Sequence, residues 1–252
     1  MALRPWSPIP IHDCGEPLVD LPPALHRLEP HPYESLGAPY GLDRSPFRLR
    51  RGVIDRLLAA QAELRTRQPG LRLAIFDAWR PLAVQRFMVR HALVEECARR
   101  GVDPDDACPE LEQVRQLVAR FWAPPSDDPA TPPPHSTGAA VDLTLADASG
   151  QALAMGGEID ALGAISEPDH YAAWAEGASE CEAAQWHRRR LLLRDCLAEA
   201  GFAQHPNEWW HYSHGDQLWA WCTGSGAARY GRCPDEDVDA AGSPSRCSTP
   251  WT

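Results

Sequence analysis

Two short clusters in this sequence hold residue types that could bind a metal and move a proton. The first is His135 with Asp142, seven residues later. The second is Glu208-Trp209-Trp210-His211. A hydrolytic zinc site takes three protein ligands and keeps a fourth position for water, and two imidazoles with one carboxylate are a standard set. His135, Asp142 and His211 can supply that set. Glu208 is left as a spare carboxylate, because three residues on a turn or tight bend put it on the His211 side. On a straight strand, His135 and Asp142 would point to opposite faces. Gly138 lies between them and lets the chain bend so that both reach one point.

Each cluster alone has a plainer reading. A lone histidine is commonly a packed, hydrogen-bonded core residue, and an isolated Glu-x-x-His arises by chance. Together they offer three ligands and a spare base, which a structural zinc site closed by four ligands does not need. His214 is close enough in sequence to be a rival ligand. His170, His187 and His205 suit surface or supporting positions. Trp209 and Trp210 suit core and pocket wall better than chemistry. The plainer reading of Arg80 is a surface salt-bridge or helix-start residue, and that of Asp160 a turn aspartate, each the lesser alternative.

The elements that must position these residues follow from periodicity. Residues 1–50 are proline-rich and irregular, with Tyr33 and Tyr40 free to line a site or simply pack. Val53, Ile54, Leu57, Leu58 and Leu64 mark a helix over 52–68, ended by Pro69-Gly70. Leu71 to Ile75 alternates as a strand and runs into Asp77-Ala78-Trp79-Arg80-Pro81. Pro81 starts the next helix, which stops at Gly101. A third helix spans about 109–122. The loop from Ala123 to Pro134, dense in proline and aspartate, leads into His135, and Val141, Leu143 and Leu145 alternate as a strand. Ser179 with Glu182 forms a capping-box pattern for a helix that ends at Gly201. Phe202 to His211 is expected as a final core strand. Cys181 and Cys196 fall in the helical pattern as buried thiols.

Composition narrows the partners. The chain has 252 residues, 44% of them hydrophobic, and a net charge of −11. That suits one domain over 1–230, with 231–252 as a flexible tail. No basic run suggests nucleic-acid binding. All the cationic side chains are arginine and lysine is absent, so Schiff-base chemistry has no nucleophile. No apolar stretch is long enough to span a bilayer and no leader is evident, which points to the cytoplasm without membrane attachment.

The two clusters resemble the HxxxxxxD and ExWH motifs of the zinc D-Ala-D-Ala peptidases, and within them the vancomycin-resistance-type D-alanyl-D-alanine dipeptidases. Phe76-Asp77-Ala78-Trp79-Arg80-Pro81 looks like their DGYRP-like segment, and Val141 to Leu145 like their IDLTL segment. Met155-Gly156 to Asp160 is similar to their MG-x-x-x-D stretch, while Arg188-Arg189-Arg190-Leu191 and Gly201-Phe202 also agree. The likeness spans about residues 30–215 in order. It implies one zinc ion per chain held by His135, Asp142 and His211. It implies Glu208 as general base and then general acid, Arg80 beside the scissile carbonyl, and Asp160 as anchor for the substrate ammonium. Where the family usually has a serine two residues before its first histidine, this chain has Pro133, which cannot donate a hydrogen bond; Ser136 or Thr137 is the nearby substitute for binding the substrate carboxylate.

The resulting expectation is an α+β fold of the hedgehog/DD-peptidase type, a mainly antiparallel central sheet flanked by helices. The site would lie at one edge of the sheet, under the 123–134 loop and the N-terminal arm. The expected substrate is a small dipeptide. Two other readings remain: a D,D- or L,D-carboxypeptidase trimming longer peptidoglycan stem peptides, and a non-catalytic zinc-stabilised binding module.

Overall fold

The computed structural model describes residues 4–41, 44–175 and 181–234. The N-terminal arm makes two short strands, β1 (Leu18–Asp20) and β2 (His26–Arg27), and one helical turn, α1 (Pro32–Ser35). β3 (Arg48–Arg50) then pairs with β1 in a small antiparallel ribbon. Helix α2 (Arg51–Arg67) follows directly and leads to β4 (Arg72–Asp77). Helices α3 (Leu82–Arg100) and α4 (Pro109–Phe121) come next, with Pro81 at the N-cap of α3 and Gly101, φ 68°, at its C-cap. β5 (Ala140–Ala146), the short α5 (Ala172–Ala175), α6 (Glu182–Glu199), β6 (Ala203–Gln204), β7 (His211–Ser213) and α7 (Gln217–Thr223) complete the order. No helix among the described residues is long and apolar enough to cross a membrane.

The main sheet runs β2-β4-β5-β7-β6. Its pairings are antiparallel except β2 with β4, so the sheet is mixed at one margin. Side chains alternate across it. Leu73 and Ile75 of β4, with Val141, Leu143 and Leu145 of β5, join Leu57 and Leu64 of α2 and Leu193 and Leu197 of α6 in one apolar cluster. Burying each such leucine contributes about 1.5–3 kcal/mol. Asp142 therefore faces the other side of β5, towards a second cluster built by Tyr33, Tyr40, Val84, Met88, Val118 and Trp122. A register shift between Ile75 and Asp77 sets Asp77 opposite Asp142.

Three expectations need correction. The segment 202–211 is not one strand: Pro206 cannot extend a ladder, and the chain turns, with His205 N–H donating to the His211 carbonyl at 2.9 Å. The α6 N-cap is Cys181, which makes no side-chain cap bond and is exposed; Ser179 lies outside the described residues. Of the expected site residues, Asp142 and His211 sit on β5 and β7, inside the sheet order rather than at its edge, where the antiparallel register sets them opposite each other. Of the segment expected as a tail, 231–234 is described. Cys233 there is buried, and its N–H donates to the Ser136 carbonyl at 2.9 Å.

Candidate active site

His135 sits on a single 3-10 turn, Pro134–Thr137, and Gly138 leaves that turn at φ 68°. A side chain is disfavoured at that angle. The turn is held from behind: Arg50 Nε donates to the Thr137 carbonyl at 2.9 Å, and Arg50 N–H to the Gly138 carbonyl at 2.8 Å. After this bend Asp142 comes up on β5 directly opposite His211 on β7. The two histidines and the aspartate form the one grouping among the described residues whose ligand atoms all lie within 4.8 Å of one another.

The hydrogen bonds fix which atoms face inward. His135 Nδ1 is 2.7 Å from the Ala78 carbonyl oxygen, which can only accept, so Nδ1 carries the proton and Nε2 the lone pair. His211 Nε2 is 3.3 Å from Ser213 Oγ. That leaves Nδ1 of His211 facing inward, towards His135 and Asp142. The inward atoms are 3.1 Å apart, His135 Nε2 to His211 Nδ1. Asp142 Oδ1 lies 3.0 Å from His211 Nδ1, and Asp142 Oδ2 lies 3.2 Å from His135 Nε2. Two imidazole nitrogens and a carboxylate facing one point in a buried site favour positive charge there, either a proton or a cation. Burial alone would push the Asp142 carboxyl up, but the two imidazoles hold it well below the usual carboxylate range.

Glu208 is buried beside this cluster. Its Oε2 is 3.8 Å from His211 Nδ1. Its Oε1 is 3.5 Å from His205 Nδ1, and that nitrogen already accepts the Asn207 N–H. Burial, and then the charges of Asp142 and Asp160, push the Glu208 carboxyl well above its usual range. Desolvation also keeps His205 neutral by lowering it well below the ordinary imidazole value. Glu208 is therefore a buried carboxyl of raised proton affinity next to the cluster.

Arg80 closes the opposite wall. Its Nη2 donates to Asp77 Oδ2 at 2.7 Å, to Tyr33 Oη at 3.3 Å and to Asp142 Oδ2 at 3.3 Å; Nη1 donates to Gln85 Oε1 at 3.0 Å. Asp77 also accepts from Tyr40 and meets His31 Nε2 at 3.2 Å. Burial would raise the Asp77 carboxyl, but Arg80 and His31 bring it down to about 2. Asp160 takes a hydrogen bond of 2.7 Å from Tyr33 Oη. Its φ of 67° is the one positive value at a non-glycine residue among those described, a conformation aspartate tolerates better than most. Burial and the neighbouring Asp142 push its carboxyl up to about 7.

These groups line a cavity of about 40 Å³, walled also by Arg4, Trp6, Phe121, Trp122, Ala123 and Pro134. The N-terminal arm and the end of α4 thus cover the site. Six of the seven site residues expected from sequence meet here. Ser136 does not line the cavity; its hydroxyl donates to the Pro133 carbonyl at 2.7 Å. His214 is also elsewhere, with Nδ1 against the Gly201 carbonyl at 2.8 Å. Sequence reasoning missed the roles of Asp77, His205, Arg4 and Trp6. An aspartate three residues before Arg80 was a signal for Asp77. The proline-rich arm gave none for Arg4 or Trp6.

Residues 26–227 match a family model described as D-ala-D-ala dipeptidase. A D-alanyl-D-alanine dipeptidase of Synechocystis is 48% identical over 223 residues, which are 87% of this chain and 90% of that protein. One of Streptomyces coelicolor is 44% identical over 156 residues, 61% of this chain and 67% of that protein. One of Escherichia coli is 32% identical over 143 residues, 57% and 55%. Among solved structures, a vancomycin-resistance D,D-pentapeptidase, VanY, in complex with Zn(II), aligns with a TM-score of 0.41 at 14% identity. That alignment covers 83% of this chain and 88% of the other.

Proposed function

The chain belongs to the D-ala-D-ala dipeptidase family, and from that premise we propose that it hydrolyses the peptide bond of free D-Ala-D-Ala. In this reading one zinc ion per chain is held by His135, Asp142 and His211, and Glu208 moves the proton. The observation that carries it is the inward-facing ligand triad with the carboxyl of a buried glutamate, Glu208 Oε2, 3.8 Å from His211 Nδ1.

The donor set fits the ion. Zinc bonds of about 2.0–2.1 Å in a tetrahedron put ligand atoms roughly 3.3 Å apart. Here the two imidazole nitrogens are 3.1 Å apart, and Asp142 reaches them through its two oxygens, Oδ1 3.0 Å from His211 and Oδ2 3.2 Å from His135. The bonds to Ala78 and Ser213 orient the rings as supporting partners of metal-bound histidines do. When bound, the ion supplies Lewis acidity and brings water within reach of deprotonation near neutral pH.

The chain's own residues do the rest. Glu208 takes a proton from the attacking water and returns it to the leaving amine. Arg80, fixed by Asp77 and Gln85, presents its guanidinium where charge develops on the carbonyl oxygen; removing such a donor typically costs about 2.7–4 kcal/mol. Asp160 receives the substrate's ammonium and exchanges a costly unpaired burial for an ion pair. An acylated amine would leave that carboxyl unpaired, so longer wall peptides are rejected.

The test is turnover of D-Ala-D-Ala against a pentapeptide stem, in wild type and in Glu208→Gln. Cleavage of the dipeptide alone is expected, with turnover in the variant down by about 10²–10⁴-fold and one equivalent of zinc retained. Faster cleavage of the stem peptide would transfer the protein to the carboxypeptidases. Full activity in Glu208→Gln would remove the glutamate from the reaction. Stoichiometric zinc with no turnover of either substrate would leave a binding module.

A further inference from the structure

A free dipeptide carries a carboxylate as well as an ammonium, and the residues assigned so far receive only the ammonium. Ser136, the sequence-based candidate for the carboxylate, points its hydroxyl into its own backbone. Two arginines line the cavity, Arg80 and Arg4. Arg80 is committed: two carboxylates, Asp77 and Asp142, already accept from it.

Arg4 is placed differently. The turn that carries it is pinned by Gln217, whose Nε2 donates to the carbonyls of Ser7 at 3.1 Å, Ile9 at 2.7 Å and Ala130 at 3.0 Å. The guanidinium lies against the C-terminal end of α4, donating from Nη2 to the Ala119 carbonyl at 2.6 Å and the Trp122 carbonyl at 3.2 Å, and from Nη1 to the Arg120 carbonyl at 3.2 Å. All three acceptors are neutral. A guanidinium has five N–H donors, so these contacts fix its orientation while leaving Nε–H and one Nη1–H for a ligand. These two groups lie on different edges of the guanidinium, so each is a single charge-assisted donor to a carboxylate, and the bonds to α4 fix its direction as a flexible ammonium's is not.

Its location also fits. Arg4 lines a neighbouring hollow walled by Pro132, Pro133 and Pro134, whereas Asp160 lines another walled by Met88 and Leu162. Arg4 and Asp160 thus share the cavity over the ligand cluster, and each also lines a different hollow beside it, one for each end of an extended zwitterion.

We propose that Arg4, delivered by the N-terminal arm, binds the C-terminal carboxylate of the dipeptide. This rests on the dipeptidase reading above. An arginine serving only to tether the arm to α4 would not distinguish substrates by their C-terminal charge.

The experiment compares kcat/KM for D-Ala-D-Ala and for D-alanyl-D-alaninamide, which lacks that charge. Wild type should prefer the dipeptide. In Arg4→Gln the preference ratio should fall at least tenfold, through KM for the dipeptide, and Arg4→Lys should keep more of the ratio than Arg4→Gln. An unchanged ratio in Arg4→Gln, including a parallel loss on both substrates, would overturn the proposal, as would a wild type indifferent to the amide. A wild type that cleaves neither substrate would remove the dipeptidase reading itself, and this inference with it.

Discussion

Asp160 illustrates how a single side chain carries opposite demands. Its carboxyl is buried, faces the charge of Asp142 and has one hydrogen bond from Tyr33, so it titrates near 7 instead of 3.8. A carboxyl raised in the folded state binds protons more tightly there than in the unfolded chain. Its contribution to stability is full below about pH 4 and is lost as pH rises through about 7. Asn cannot ionise and still accepts from Tyr33. Asp160→Asn should therefore raise the melting temperature of the metal-free protein at pH 8, by about 2–4 °C for each kcal/mol recovered. The gain should vanish towards pH 4. The same variant should raise KM for the dipeptide, since the ammonium loses its partner. A melting temperature at pH 8 equal to or below that of wild type would show that the buried charge costs the fold nothing.

At the scale of elements, the site depends on one joint. Gly138 separates the turn carrying His135 from the strand carrying Asp142, and φ 68° there sets their relative direction. A Cβ at this position would also lie 2.5 Å from Leu18 Cδ1 of β1 and 3.4 Å from the Arg50 nitrogen. Gly138→Ala is expected to cost about 1–2 kcal/mol for the left-handed backbone. It should also weaken zinc binding, because His135 can no longer meet Asp142 and His211 at one point. Calorimetric zinc titration beside thermal unfolding checks this, and wild-type affinity in the variant would show that the joint is not needed for convergence. The bend was legible in the sequence as a glycine inside a seven-residue spacing that a straight strand could not use. The turn between β6 and β7 was not, because apolar Phe202 and the paired tryptophans look like a continuous core strand. Pro206 and the His205–His211 backbone bond decide otherwise.

For the whole molecule, the candidate ligands His135, Asp142 and His211 belong to neither of the apolar clusters that hold the layers together. The α2–α6 cluster packs on one face of the sheet and the α3–α4 cluster on the other, and neither needs an ion to bury its side chains. Metal should thus stabilise by mass action alone, by about 4 kcal/mol at a thousandfold excess over Kd. Chelation should lower the melting temperature yet leave the far-ultraviolet circular dichroism of the folded chain intact at 25 °C. Collapse of the spectrum on chelation would mean that the ion is part of the fold's framework, as in small zinc domains.

The sequence by itself determined the two clusters that meet in the cavity, the arginine before the helix and most element positions, because each is set by local spacing and periodicity. It also carried the family resemblance over residues 30–215. Only the tertiary structure decided which atoms face inward, since tautomers depend on the distant Ala78 and Ser213. It alone placed the site on inner strands, withdrew Ser136 and brought Arg4 across more than a hundred residues to the end of α4. Those outcomes depend on burial and long-range pairing, which act between segments that the linear order keeps apart.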